Sequence, residues 1–257
     1  MSHDPLLDFR GQRVLITGAG SGFGALLAQQ LAERGATLVL GDIQAAPLEA
    51  LVETLRERDV AVQAQLCDVA SEAQVRALVR QAEQSFGGLD MAVNNAGIAH
   101  PFTALEQLDE ASFDRQIAVN VKSVLFGMKY QIPLMQQQGG GAILNISSMA
   151  GIGGAPKLAA YAAAKHAVVG LTRTAAVEQA RRNIRVNALC PYYSHTPMVD
   201  DGGLADASTQ AMLASGSPMK RLGRPEEIVA VMLMLLSPAN TYMTGQTVAV
   251  DGGVSAF

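Results

Sequence analysis

The chain has 257 residues, 49% hydrophobic and 5% aromatic, with 19 basic and 23 acidic side chains for a formal charge of −4. That length and aliphatic content fit one domain whose core needs no metal or disulfide staple. Without a run of Lys and Arg there is no focused basic patch, which argues against nucleic acid and anionic membrane as partners and leaves small-molecule chemistry open.

The opening, MSHDPLLDFRGQR, carries acids and a proline where a secretory signal would carry a basic end and an apolar run. Cys67 and Cys190 lack metal-ligand spacing and suit a reducing cytoplasm as buried thiols. A soluble cytoplasmic protein is expected. The apolar stretch from Ile228 ends at Leu236, too short to span a bilayer.

Short runs rich in Val, Ile and Leu follow at 13–17, 37–41, 60–66, 89–93, 142–147, 184–189 and 247–250, and read as strands. Segments with helical spacing lie between them at 23–34, 45–58, 71–86, 112–137, 160–181 and 225–236. Strands alternating with helices predict an α/β fold: a doubly wound, seven-stranded parallel sheet of Rossmann type with helices on both faces. The near-continuous apolar strands match burial on both sides. The least regular stretch, 191–218, clusters Gly, Ser, Asp and Pro before a helix opened by Pro225-Glu226-Glu227, and reads as a lid over a site.

Strand one runs into TGAGSGFG (17–24), where a glycine turn and a helix N-terminus present backbone amides together, a phosphate-binding arrangement. The spacing of Gly18, Gly22 and Gly24 is not the standard dinucleotide fingerprint, and a plain strand-to-helix turn would also use glycine. Asp42 ends the second strand, where a carboxylate accepts ribose hydroxyls and repels a 2′-phosphate; neither Ser21 nor Ile43 offers a phosphate the cation it would want. NAD is therefore expected over NADP. Further on, YAAAK (161–165) sets Tyr161 and Lys165 on one helix face, where an ammonium beside a phenol can lower the phenol's pKa. Ser147 and Ser148 close the fifth strand, and on residue chemistry either could serve such a site.

Together with CDV (67–69), NNAG (94–97), VN (119–120), NISS (145–148), RVNALCP (185–191), TPM (196–198) and VDGG (250–253), these motifs resemble the short-chain dehydrogenase/reductase family over nearly the whole chain. The resemblance implies an NAD(H)-dependent oxidoreductase interconverting a secondary alcohol and a ketone. It assigns Tyr161 as the proton donor and acceptor, Lys165 as the group that lowers its pKa and binds the nicotinamide ribose, and Ser148, thirteen residues before Tyr161, as the hydrogen-bond donor to the carbonyl oxygen. Asn120 completes the tetrad by positioning a water that links Lys165 to solvent. Cofactor contacts are implied at Gly18, Ser21, Gly22, Phe23, Gly24, Asp42, Ile43, Asp68, Val69, Asn95, Gly97, Tyr161, Lys165, Pro191, Ser194 and Thr196. The substrate pocket is expected from His100, Phe102, Met149, Ile152, Tyr192, Tyr193, His195 and Met198, with no metal. The resemblance also suggests a homotetramer.

The chain departs from the family pattern where Tyr192 replaces the glycine after Pro191 and Ser194 a branched apolar residue, which predicts a loop with less freedom near the nicotinamide. Two other roles compete: a non-catalytic NAD(H) sensor or scaffold, against which the intact Asn-Ser-Tyr-Lys set argues, and a lyase or epimerase retaining bound NAD.

Overall fold

The computed structural model describes residues 5–200 and 204–256. Seven strands form one parallel sheet in the order β3-β2-β1-β4-β5-β6-β7, comprising β1 (Arg13–Thr17), β2 (Thr37–Asp42), β3 (Val62–Leu66), β4 (Met91–Asn94), β5 (Gly141–Ile146), β6 (Ile184–Pro191) and β7 (Thr247–Val250). The order reverses between β1 and β4, and at such a switch point the loops leaving the strands' carboxyl ends part to open a crevice.

Alternation along each strand feeds two cores. Val14, Ile16, Leu38, Leu40 and Leu144 point to one face, against α1 (Gly22–Ala32), α2 (Ala45–Arg56) and α9 (Pro225–Leu236). Leu15, Val39 and Ile143 point to the other, against α3 (Glu72–Phe86), α5 (Lys122–Gln137) and α6 (Ala159–Gln179). Burial on both sides is why these strands carry apolar residues in succession.

Two regions differ from the sequence expectation. The helix expected over 112–137 is α4 (Glu110–Gln116), a π-helical turn (Ile117–Val121) and then α5. Within the wide turn the Asn120 amide donates to Gln116 Oε1 at 2.6 Å. The irregular stretch 191–218 contains α7 (Pro197–Asp200) and α8 (Ala207–Gly216), the latter started by Asp206, which accepts from Thr209 N at 2.8 Å. Val199, Leu213 and Leu222 form a small cluster there, apart from the two main cores. Among the described residues, no helix is long and apolar enough to cross a membrane.

Candidate active site

A cavity of about 1550 Å³ opens at the carboxyl ends of the strands. Most of the residues expected at a site line it; Gly24, Asn120 and His195 do not.

At one end lies the glycine turn. Gly18 (φ 65°) and Gly22 (φ 53°) adopt left-handed backbone, which a side chain would strain. Gly24 sits one turn into α1, where a Cβ would collide with the Gly18 carbonyl; its part is to let α1 close onto the turn. Thr17 and Asn95 clamp the turn from below. The Thr17 hydroxyl oxygen accepts from the amides of Asn95 and Ala96 at 3.1 and 3.2 Å. In return the Asn95 side-chain amide donates to the carbonyls of Thr17 and Gly18, both at 3.0 Å. Asn95, expected against a ribose, thus spends its amide on the loop that would hold the phosphates.

The Asp42 carboxylate, 9% exposed, accepts from Gly20 N at 2.8 Å and from Gln44 N at 2.9 Å. It ties the glycine turn to the start of α2 and keeps its charge at the cavity rim. Ile43 beside it is 65% exposed, an apolar platform, and Asp68 and Val69 line the cavity from the end of β3. Phe23 is half-buried, packed on the core while lining the cavity. Free amides at a helix N-terminus, no side chain filling the turn and a carboxylate at the rim fit an elongated ligand with a phosphate at one end and paired hydroxyls near Asp42.

At the other end Ser148, Tyr161 and Lys165 meet on the cavity wall. The Lys165 ammonium, 4% exposed, donates to the Ile146 carbonyl at 2.9 Å, its one hydrogen bond among the described residues, and lies 5.5 Å from the Tyr161 ring centre. Gly97 lets the backbone pass beside it, since a Cβ there would approach Nζ to 3.3 Å and Asn120 Oδ1 to 2.8 Å. Ser147 and Ser148 face opposite ways, as alternation requires. The Ser147 hydroxyl donates to the Lys165 carbonyl at 2.9 Å, whereas Ser148 accepts from Ala150 N at 3.1 Å on the wall it shares with Tyr161.

Asn120 grips the Ile98 backbone twice, accepting from its N–H and donating to its carbonyl, each at 2.9 Å, and so fixes the loop that carries Gly97. The π-helical turn is what aims it there, a distortion frequent at functional sites. Gln116, four residues before Asn120, was not anticipated as its support, although helical spacing pointed to it.

The electrostatics of the chain alone are set by burial. Burial pushes the Tyr161 phenol above its usual value, opposed by the Ser148 hydrogen bond. Burial also lowers Lys165 to about 8. An ammonium that loses its proton near 8 is neutral before such a phenol ionises, so in the chain alone Lys165 does not produce a phenolate.

The substrate end is mostly apolar, with Phe102, Met149, Ile152, Met198 and the Tyr192 and Tyr193 rings on the wall. Met212 and Leu213 of α8 join them unforeseen, because nothing in their spacing marks them as more than lid residues. His195 does not belong to the pocket: its Nδ1 turns outward to Asp200 Oδ1 at 3.2 Å, drawn by the carboxylate one helical turn on. Ser194 is buried, its hydroxyl donating to the Tyr192 carbonyl at 3.1 Å, and Thr196 and Pro191 complete the wall. The missing glycine at Tyr192 leaves no strain, since Tyr192 is not among the residues with positive φ. Cys67 lines the cavity, its thiol pushed up to about 11 by burial. Among the described residues, no group of three or more His, Cys, Asp or Glu is arranged to hold a metal ion.

Residues 18–255 match the family model described as enoyl-(acyl carrier protein) reductase. The chain is 41% identical over 248 residues to cis-4-hydroxycyclohexanecarboxylate dehydrogenase of Sinomonas cyclohexanicum, covering 96% of this chain and 98% of that protein. It is 36% identical over 248 residues to cyclohexanol dehydrogenase of Acinetobacter sp. (strain SE19), covering 96% of each. The crystal structure of levodione reductase superposes with a TM-score of 0.93 at 39% identity, over 96% of this chain and 99% of that one.

Proposed function

This chain belongs to the short-chain dehydrogenase/reductase family, and from that premise we propose that it is an NAD-dependent enzyme interconverting a secondary alcohol and a ketone. The observation that carries the reading is the convergence of Ser148, Tyr161 and Lys165 on a cavity continuous with the Asp42 crevice. Oxidoreductase action on a CH–OH group is the common ground of its relatives; the preference for NAD rests on Asp42.

The glycine turn, Asp42, Ile43 and Asp68 would hold the dinucleotide, and Lys165, with donors to spare, would take the ribose hydroxyls near Tyr161. Bound there, a nicotinamide supplies the hydride acceptor or donor. The chain's own part is proton transfer and orientation. Ser148 donates to the substrate oxygen and holds it against the Tyr161 oxygen, which as phenolate takes the alcohol proton during oxidation and as phenol returns it during reduction. Burial keeps competing water away from the reacting carbon.

The apolar wall and the ring substrates in the relatives' names support a compact cyclic substrate. The separate cluster of Val199, Leu213 and Leu222 supports a lid that moves as a unit over it. Exposed Phe113, Leu125 and Val177, the last 81% exposed, support a homotetramer joined through α4, α5 and α6.

Incubation with NAD or NADH and a panel of secondary alcohols and ketones tests the reading. Stoichiometric change at the nicotinamide absorbance band, larger with NAD than with NADP, is the expected result. Substrate conversion without net change at that band would point to a lyase or epimerase, and cofactor binding without turnover to a sensor.

A further inference from the structure

The Tyr192-Tyr193 pair is built into the cavity wall by contacts that leave one of the two hydroxyls unused. Tyr192 is anchored: its hydroxyl donates to the Leu213 carbonyl of α8 at 3.0 Å. Its ring meets Tyr193 edge to face, with centroids 4.9 Å apart and planes at 81°. The Tyr193 carbonyl accepts from Gly223 N at 3.0 Å, and its ring packs beside Val199, Leu213 and Leu222. Backbone and ring are therefore held on several sides.

The Tyr193 hydroxyl has no hydrogen-bond partner among the described residues, and it is not among the polar atoms sealed from solvent. It belongs to the same cavity as Tyr161, whose charge acts on it. Burial and the neighbouring phenols push it up to about 12. It therefore stays protonated at working pH and can donate. His195 turns away from the pocket, and His100, also expected at the substrate end, is not free to serve. Its Nδ1 lies 2.7 Å from the Pro101 carbonyl, and its Nε2 is sealed among protein atoms. Phe102, Met149, Ile152 and Met198 offer only apolar contact and a weak thioether acceptor, and Asp114 and Arg115 are charged side chains that line the same cavity.

We propose that Tyr193 is a specificity-determining residue whose hydroxyl binds a second oxygen on the substrate, so that the preferred substrates are ring alcohols or ketones carrying a further hydroxyl or carbonyl group. The inference rests on the alcohol/ketone reading above. It follows from the cost of desolvating an unpaired hydroxyl: a bare ring seated against Tyr193 strips water from the phenol and returns no hydrogen bond, while an oxygenated ring replaces it.

The test compares the intact protein with Tyr193→Phe on cyclohexanol, cyclohexane-1,2-diol and cyclohexane-1,4-diol with NAD, alongside NAD affinity from isothermal titration calorimetry. Wild type should prefer at least one diol. The variant should lose about ten-fold in kcat/KM on that diol, chiefly through KM, with cyclohexanol changed by no more than about two-fold and NAD affinity unaltered. A preference for cyclohexanol in wild type, or an equal loss on all three substrates, overturns the assignment. Turnover of none of them by wild type defeats the alcohol/ketone reading itself, and this inference with it, before the variant is consulted. Because Phe keeps the ring and the lost hydroxyl bonds none of the described residues, unchanged NAD affinity reports an intact fold.

Discussion

Tyr161→Phe is expected to lower kcat/KM by about 10³-fold in both directions, within the range assigned to general acid-base groups, while leaving NAD affinity within about two-fold. The ring remains in place, so packing on α6 and the cation-π approach of Lys165 are kept. What disappears is the hydroxyl of the ring that stands beside the Lys165 ammonium on the wall shared with Ser148. Ser148→Ala should lose less, about 10²-fold, because it removes a donor to the substrate oxygen but not the proton carrier. Steady-state kinetics paired with a direct NAD titration separates the two contributions. A Tyr161→Phe variant with wild-type turnover would remove Tyr161 from the chemistry.

Asp42→Asn should raise the NADP-to-NAD ratio of kcat/KM by about 100-fold, on the scale of several kcal/mol for like charges brought together. The substitution also has a structural cost. Both carboxylate oxygens accept backbone N–H groups, from Gly20 and Gln44, and an amide can satisfy only one of them. The other donor is left facing an NH₂ group, a loss of about 1–3 kcal/mol that should appear as a lower thermal midpoint in the absence of cofactor. Kinetics with each cofactor and a melting curve distinguish the charge effect from the loosened turn. An unchanged cofactor ratio together with a lowered midpoint would make Asp42 a brace for the turn and nothing more.

The strand sequence was readable because a parallel sheet buried on both faces needs consecutive apolar residues, and runs such as RVLIT supply them. The pairing of Tyr161 and Lys165 on one helix face was readable because i and i+4 coincide on one side, a local property that no packing partner alters. Other features depend on tertiary contacts that leave little trace in local pattern. The π-helical turn at 117–121 arises where Asn120 must reach the Ile98 backbone, and apolar spacing through AVNV is compatible with an unbroken helix. The outward turn of His195 is settled by Asp200, whose position depends on α7, a helix too short to show periodicity. Ser147 and Ser148, equivalent on residue chemistry, differ in the fold through the Lys165 carbonyl, which accepts the hydroxyl of the first.

The least legible property was electrostatic. The spacing of Tyr161 and Lys165 suggests a phenol made acidic by an ammonium, yet burial raises the one and lowers the other, to about 8. Both charged forms are disfavoured by the same desolvation, which only further charge or hydrogen bonding in the cavity can offset. Burial thus disfavours the phenolate in the chain alone, and the proposed mechanism assigns the acidity to the bound dinucleotide.

That division of labour is open to one direct measurement: ultraviolet titration of the Tyr161 phenol, taken as the difference between wild type and Tyr161→Phe, with and without saturating NAD. Without cofactor the midpoint should lie above the ordinary tyrosine value of about 10, so the phenol stays protonated through neutral pH. With NAD present the midpoint should fall by about two units or more, and the pH at which oxidation becomes half-maximal should fall with it. A midpoint that is the same in both forms would contradict the account.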